Sequence, residues 1–320
     1  MKLASFLQAG RRRLGAVSGD DLVDLNRARA SLAAAEGSPV AQALADATVP
    51  ADVLDFLRLG PAAIEAATAA LAHAEELGAE GARGEVLRIP LAEVKLLPPV
   101  PTPPKIVCVA RNFGEHAKEA GLEISEIPIL FARFPATLVA AGDPVIRPIA
   151  SPELDWEGEL AVVIGKGGKR IEPGRAMEHV VGYSVFNDVT VRDFQFRTPQ
   201  YTAGKNFEAS GPFGPYLVLK DEVPDPTALR ITTYVGDELM QEGETADMIF
   251  SIETIVSHVS EFIRLEPGDV IPMGTPSGVG FKRQPPRFLR AGETVRVEIP
   301  GVGTLRNPIV DEEEEEEGGA

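Results

Sequence analysis

Several absences narrow what this 320-residue chain can be. There is one cysteine, Cys108, so no disulfide can form within the chain and a disulfide-stapled fold is excluded. That cysteine sits in the apolar run KIVCVA and reads as an inert core residue in a reducing compartment. No set of Cys and His residues favours zinc, because the four histidines stand far apart in the sequence. No window approaches the 18 or so uninterrupted apolar residues of a membrane helix. The opening MKLASFLQAGRRRLGAV puts its arginines after the apolar stretch, the wrong order for a secretory signal. A cytoplasmic protein is expected. Positive charge is also scarce, with 31 Lys and Arg against 48 Asp and Glu and a net charge of −17. Such a balance argues against a nucleic-acid partner, which would need a basic face. Seven of those charges lie in the terminal DEEEEEEGGA. A run of like charge repels itself, so residues 311–320 are expected to be a disordered acidic tail.

The chain as a whole is 44% hydrophobic and 25% charged, enough to bury a large core in one or two domains. Residues 1–97 are rich in alanine and read as a small α+β domain. LASFLQ, RLGAVSG and LVDLN form an opening meander, and helices are expected over 22–36 and 61–77, the second opening on a proline. VLRIPLAEVKLLPP leads out into PPVPTPPK. Prolines lack the N–H that a sheet interior needs, so 98–104 is expected to be a linker between folded units. From 105 to 310 short apolar runs alternate with turns such as AGD, EPGD and AGE. This pattern predicts a mainly β, mixed or antiparallel sheet system with few helices. The clearest helix spans 251–264, with an apolar stripe of Ile252, Ile255, Val256, Val259, Phe262 and Ile263.

The chemistry concentrates in DWEGELAVVIG and VVGYSVFNDVT. Side chains repeat with period two along a strand, so Glu157 and Glu159 converge on one face, and Asp188 follows 29 residues after Glu159. Beside an apolar core, like charges need a cation or a proton to offset them. Carboxylates with open positions suit a hard, oxygen-seeking ion such as Mg2+ or Mn2+. Spacing alone leaves that reading level with a solvated strand face. A second constellation is His116 with Glu119 in EHAKEA, which a helix would place on neighbouring turns of one face. GTPSGVG lacks the GK[ST] ending of a phosphate-binding loop.

Taken in order, NFGEHAKEAG, DWEGELAVVIG, GYSVFNDVTVRDFQ, GKNFE, GPFGP, LEPGDVIPMGTPSGVG and GVGTLRNPI resemble the fumarylacetoacetate hydrolase family over roughly residues 104–310. The N-terminal part is similar to the leading domain of longer bacterial members. The resemblance implies a mixed β-roll catalytic domain, usually a homodimer, with one Mg2+ or Mn2+ per subunit, a place Ca2+ can take in crystals. It implies Glu157, Glu159 and Asp188 as metal ligands, and His116 and Glu119 as a dyad that activates water from a lid. Lys205 would stabilise an enolate or help protonate it. Arg133, Arg192, Gln195 and Thr275 would contact substrate oxygens. Two positions depart from the common pattern: Arg133 stands where many members have lysine, and Glu208 where the lysine motif usually ends in aspartate. Arg133 is either a carboxylate-binding fork or a structural salt-bridge partner. His73, His179 and His258 lack motif context and are expected to be structural or surface residues. The leading expectation is hydrolysis of the C–C bond of an acylpyruvate-type 2,4-dioxo acid. A decarboxylase or tautomerase of 2-oxo dicarboxylic acids comes second, and a non-catalytic binding protein third.

Overall fold

The computed structural model describes residues 1–114 and 125–314. Strands β1 (Lys2–Gln8), β2 (Arg11–Ser18) and β3 (Asp21–Asp24) form the expected meander. Helix α1 (Leu25–Ala35) starts three residues later than predicted. The reason is Asp24, whose carboxylate accepts a hydrogen bond from Arg27 N and caps the helix, leaving residues 21–24 to the sheet. Helices α2 (Ala41–Thr48) and α3 (Val53–Leu59) were not anticipated, being too short to show a clear period, whereas α4 (Pro61–Leu77) has the predicted bounds. Strands β4 (Arg88–Pro90) and β5 (Lys95–Leu96) close the region by pairing with β3 and β1.

Beyond it run β6 (Ile106–Ala110), β7 (Ile129–Arg133), β8 (Leu138–Val139), β9 (Val145–Arg147), β10 (Leu154–Asp155), β11 (Gly158–Ile164), β12 (Val180–Asn187) and β13 (Thr190–Val191). They are followed by β14 (Gly211–Leu219), β15 (Arg230–Val235), β16 (Glu238–Glu244), β17 (Val270–Pro272), β18 (Thr294–Ile299) and β19 (Gly303–Asp311). One 12-stranded sheet runs β4-β3-β2-β1-β14-β12-β11-β17-β6-β7, with β5 and β8 attached at its side. A five-stranded sheet runs β16-β15-β18-β19-β9. Most pairs are antiparallel; β6 with β17, β8 with β14, and β9 with β19 are parallel.

Strand β11 explains the architecture. Its sequence GELAVVI is buried throughout, as expected of a strand covered on both faces. Leu160, Val162 and Ile164 join a core with Ile231, Val297, Ile299 and Leu305 of the smaller sheet. Ala161 and Val163 face the other way, into a core shared with Leu3, Leu14, Phe56 and Ala67. The N-terminal region and the region from residue 105 onward are therefore joined by a sheet contact, β1 on β14, and by a common core. The proline-rich 98–104 segment packs across this junction: Val100 is fully buried and Ser5 Oγ donates to the Pro99 carbonyl at 2.8 Å.

Two further expectations are corrected. The helix Ile252–Phe262 buries Ile252, Ile255, Val256 and Val259, but Phe262 and Ile263 lie outside that stripe and are exposed. The acidic tail is held at its start, because Asp311 pairs with Arg147 in the sheet and the Glu312 carboxylate accepts from Ile149 N at 2.7 Å. No helix among the described residues is long and apolar enough to cross a membrane.

Candidate metal centre

The pairing of β11 with β12 sets Gly158 opposite Asn187 and Glu159 opposite Phe186. Glu157 and Asp188 thus lie side by side just beyond the paired ends. Asp188 N donates to the Glu157 carbonyl at 2.8 Å, and the Asn187 side-chain oxygen accepts from Glu157 N at 2.9 Å. Glu157, Glu159 and Asp188 bring one carboxylate oxygen each within 4.8 Å of one another, and all three residues are buried. The solvated-face alternative is thereby excluded.

Three cations surround this cluster. Lys205 Nζ donates to Glu157 Oε2 at 2.7 Å and to Asp188 Oδ2 at 2.5 Å. Arg192 pairs with Glu157 Oε1 at 2.7 Å and with Asp155 Oδ2 at 2.8 Å. Arg133 Nη1 donates to Asp188 Oδ1 at 2.5 Å and to the Val189 carbonyl at 3.1 Å, while its Nη2 reaches Ser210 Oγ at 2.7 Å. Arg133 is thus a salt-bridge partner behind a candidate ligand, with a fully buried side chain, and is not part of the cavity wall. Glu208 is exposed and also absent from that wall.

Glu159 is treated differently. Its carboxylate accepts from Gly274 N at 2.8 Å, and no Lys or Arg forms an ion pair with it among the described residues. Burial, reinforced by Asp188 and Glu157, pushes its pKa well above the ordinary carboxylate range. Burial opposes the charge on Lys205, but Asp188 and Glu157 outweigh it and raise its pKa above the usual lysine value. Four buried carboxylates, counting Asp155, face three cations. Among the described residues, with all four carboxylates ionised, one negative charge is left over at a cluster of oxygen donors. A hard divalent cation fits this donor set and charge.

The supporting turns are fixed by close approach. Gly274 has φ +97°, and a Cβ there would meet Asn112 Cβ at 2.9 Å, so only glycine can deliver its N–H to Glu159. Gln241 accepts from Gly158 N at 3.0 Å and donates to Thr275 Oγ1 at 2.8 Å, and Thr275 in turn donates to the Gly158 carbonyl. Asp155 accepts from Trp156 N, Gly280 N and Phe281 N as well as from Arg192. Asp155 and Gln241 carry no motif signature in the sequence. Only the run DWEGE hinted at the first.

In front of the triad opens a cavity whose wall includes Glu157, Glu159, Arg192, Gln195, Lys205 and Thr275. The structure thus assembles seven of the ten expected site residues in one place, counting Asp188 on the floor and leaving Arg133 behind it. His116 and Glu119 lie outside the described residues. Arg111, Phe131, Phe196, Tyr201 and Phe281 also line the wall, with Val109 and Ala110, and were missed from the sequence. Cys108 is buried nearby, and burial raises its thiol pKa well above normal, which makes it the inert residue expected. His73 bonds Ser31, His179 bonds the Lys166 carbonyl and His258 faces Glu261, all away from this cavity.

The sequence profile described as Fumarylacetoacetate (FAA) hydrolase C-terminal matches residues 105–310. The mitochondrial oxaloacetate tautomerase FAHD2A of Homo sapiens is 42% identical over 267 residues, covering 83% of this chain and 82% of its own. The oxaloacetate tautomerase YisK of Bacillus subtilis is 45% identical over 223 residues, covering 68% and 74%. A solved maleylpyruvate hydrolase from Sphingobium sp. SYK-6, in complex with manganese(II) and pyruvate, superposes with a TM-score of 0.74 at 28% identity, covering 98% of this chain and all of the other.

Proposed function

Since this chain belongs to the fumarylacetoacetate hydrolase family, we propose that it is a divalent-metal-dependent tautomerase of a 2-oxo dicarboxylic acid of the oxaloacetate type. The observation that carries this reading is the 42–45% identity to two oxaloacetate tautomerases, against 28% to a maleylpyruvate hydrolase. It reverses the order of the expectations, which put C–C hydrolysis first.

Tautomerisation removes one proton from the C2 hydroxyl of the enol and places one on C3. It adds no water and breaks no C–C bond. Glu157, Glu159 and Asp188 would hold Mg2+ or Mn2+, which supplies a Lewis acid toward the C1 carboxylate and the C2 oxygen. The chain's own groups do the rest. Lys205 and Arg192 are kept charged by their carboxylates and offset most of the negative charge of the cluster, so that the charge of a bound cation would be left to favour negative charge on the substrate. The Gln195 carbonyl accepts from Arg192 Nη1 at 2.9 Å, so its NH2 group remains a donor for a substrate oxygen. Thr275 is occupied by Gly158 and Gln241 and positions the turn that serves Glu159. Phe131, Phe196 and Phe281 on the wall limit the water that would compete for the proton. A homodimer, as the family resemblance implies, belongs to this proposal, and light scattering tests it.

Hydrolysis remains the second reading, supported by the maleylpyruvate hydrolase likeness over nearly the whole chain and by the His116/Glu119 spacing. One experiment separates them. Enol-oxaloacetate, acetylpyruvate and fumarylpyruvate are each offered with Mn2+ or with EDTA, following enol absorbance and pyruvate release. Metal-dependent enol decay without pyruvate supports the tautomerase. Pyruvate from the acylpyruvates, lost in His116→Ala, would replace it with the hydrolase, and pyruvate from oxaloacetate with a decarboxylase.

A further inference from the structure

Of the four described Lys and Arg residues on or just beneath the cavity wall, three are committed. Arg133, Arg192 and Lys205 each pair with buried carboxylates beneath the cavity. Arg111 is the fourth. It stands on the cavity wall, half-buried, and its guanidinium Nη2 donates to the phenol oxygen of Tyr201 at 2.7 Å. It forms no ion pair with any described carboxylate, so its charge faces the cavity without an anion of its own.

The backbone at this position is also unusual. Arg111 has φ +57°, a left-handed conformation disfavoured for a residue with a side chain. The next residue enforces it. Asn112 Nδ2 donates to the Phe250 and Met273 carbonyls at 3.1 and 2.8 Å, its Oδ1 accepts from Phe250 N at 2.8 Å, and its carbonyl accepts from Ile249 N at 2.7 Å. Four hydrogen bonds from a buried residue therefore over-determine a strained turn whose exposed product is one arginine directed at the pocket. Tyr201 is held in turn by edge-to-face packing on Phe131, with centroids 5.7 Å apart, and lies one helical turn before Lys205.

We infer that Arg111, oriented by Tyr201, is the anchor for the second carboxylate of the substrate and so selects dicarboxylic over monocarboxylic 2-oxo acids. The inference rests on the tautomerase reading for the substrate class. A 2-oxo acid directs its C1 carboxylate and C2 oxygen at the floor, and a C4 diacid then presents its remaining carboxylate to the wall. Among the described cations around the cavity only Arg111 can meet it without breaking an existing ion pair. A guanidinium fork suits that group because it donates two parallel N–H bonds to one carboxylate.

The test uses the Mn2+-loaded protein and two unreactive probes, malate and lactate, which differ by the distal carboxylate. Calorimetry on wild type should show malate binding more tightly than lactate. Arg111→Met should weaken malate by roughly ten- to hundredfold, the range for a hydrogen bond to a charged group, and leave lactate and the Mn2+ affinity unchanged. Arg111→Lys should recover part of the malate affinity, and Tyr201→Phe should lose a smaller part. In turnover, the loss should fall on KM for enol-oxaloacetate and spare the enol of phenylpyruvate. Equal binding of malate and lactate by wild type, or unchanged discrimination in Arg111→Met, overturns the assignment, and so does parallel loss of both probes. If wild type discriminates between the probes but tautomerises neither enol, the tautomerase reading fails while the carboxylate anchor stands.

Discussion

The two halves of the long sheet share strands and a core, yet they bury different chemistry. In the N-terminal half, α1 and α4 meet through Ala28, Ala70 and Ala74 beside Val23 and Leu87, and Phe56 fills the junction with the catalytic strands. In the catalytic half, four carboxylates, two arginines and a lysine are buried around one cavity. Apolar burial stabilises at roughly 25 cal/mol per Å². Buried charges are costly even when paired. The difference teaches that the half carrying the chemistry packs against a half that carries none, through a core in which Phe56 and Leu14 belong to the same cluster as Val163 and Phe186.

The largest effect should come from breaking the charged half. Asp188→Ala removes a candidate metal ligand and the partner of both Arg133 and Lys205. Mn2+ binding by calorimetry and turnover should both vanish, and the metal-free protein should lose about 3–5 kcal/mol, since a buried charge is left without its anion. Retained activity would show that the centre is misplaced. Next comes the apolar half. Phe56→Ala, at a fully buried position, should cost about 3–5 kcal/mol in chemical denaturation but leave kcat of the folded fraction within about twofold of wild type, because hydrophobic truncation removes packing and not a transition-state contact. A collapse of kcat would mean that the shared core transmits strain to the centre. Arg133→Lys is subtler. A lysine can reach Asp188 but cannot bond Val189 and Ser210 with a rigid fork. Metal affinity should fall about tenfold, as for other groups that orient ligands, with substrate KM at saturating metal unchanged. A raised KM at saturating metal would restore Arg133 to the substrate contacts.

How far the sequence reveals this depends on how local each signal is. Glu157 and Glu159 are legible because a strand's period of two fixes their common face, and Asp188 through the family resemblance of the run GYSVFNDVTVRDFQ. Helix α4 is legible because Pro61 and Gly78 punctuate it. Asp155, Gln241 and Asn112 are not. Their roles come from contacts to residues between 34 and 161 positions away, which no local pattern encodes. The proline-rich 98–104 segment reads as a spacer from composition, and only the β1–β14 pairing shows what it packs across. Arg111 is hidden most completely, since its left-handed turn is imposed by Asn112 and its orientation by Tyr201, 90 residues away.

The smallest expected effect sharpens the comparison from inside the catalytic half. Ser184 lies on β12 opposite Ala161, fully buried, and its hydroxyl has no hydrogen-bond partner. Apart from Glu159, the charged side chains described at the centre are tied to partners of opposite charge, so removing one leaves another exposed to an apolar medium. Ser184 leaves nothing behind. Ser184→Ala removes a buried hydroxyl that is already unsatisfied, a change that is neutral or stabilising, and creates almost no cavity. Its denaturation midpoint should equal wild type or rise slightly, with kcat/KM unchanged. A loss above about 1 kcal/mol, the value of an ordinary hydrogen bond, would mean that this hydroxyl is bonded in solution. The catalytic half would then be polar throughout its strands and not only around the metal centre.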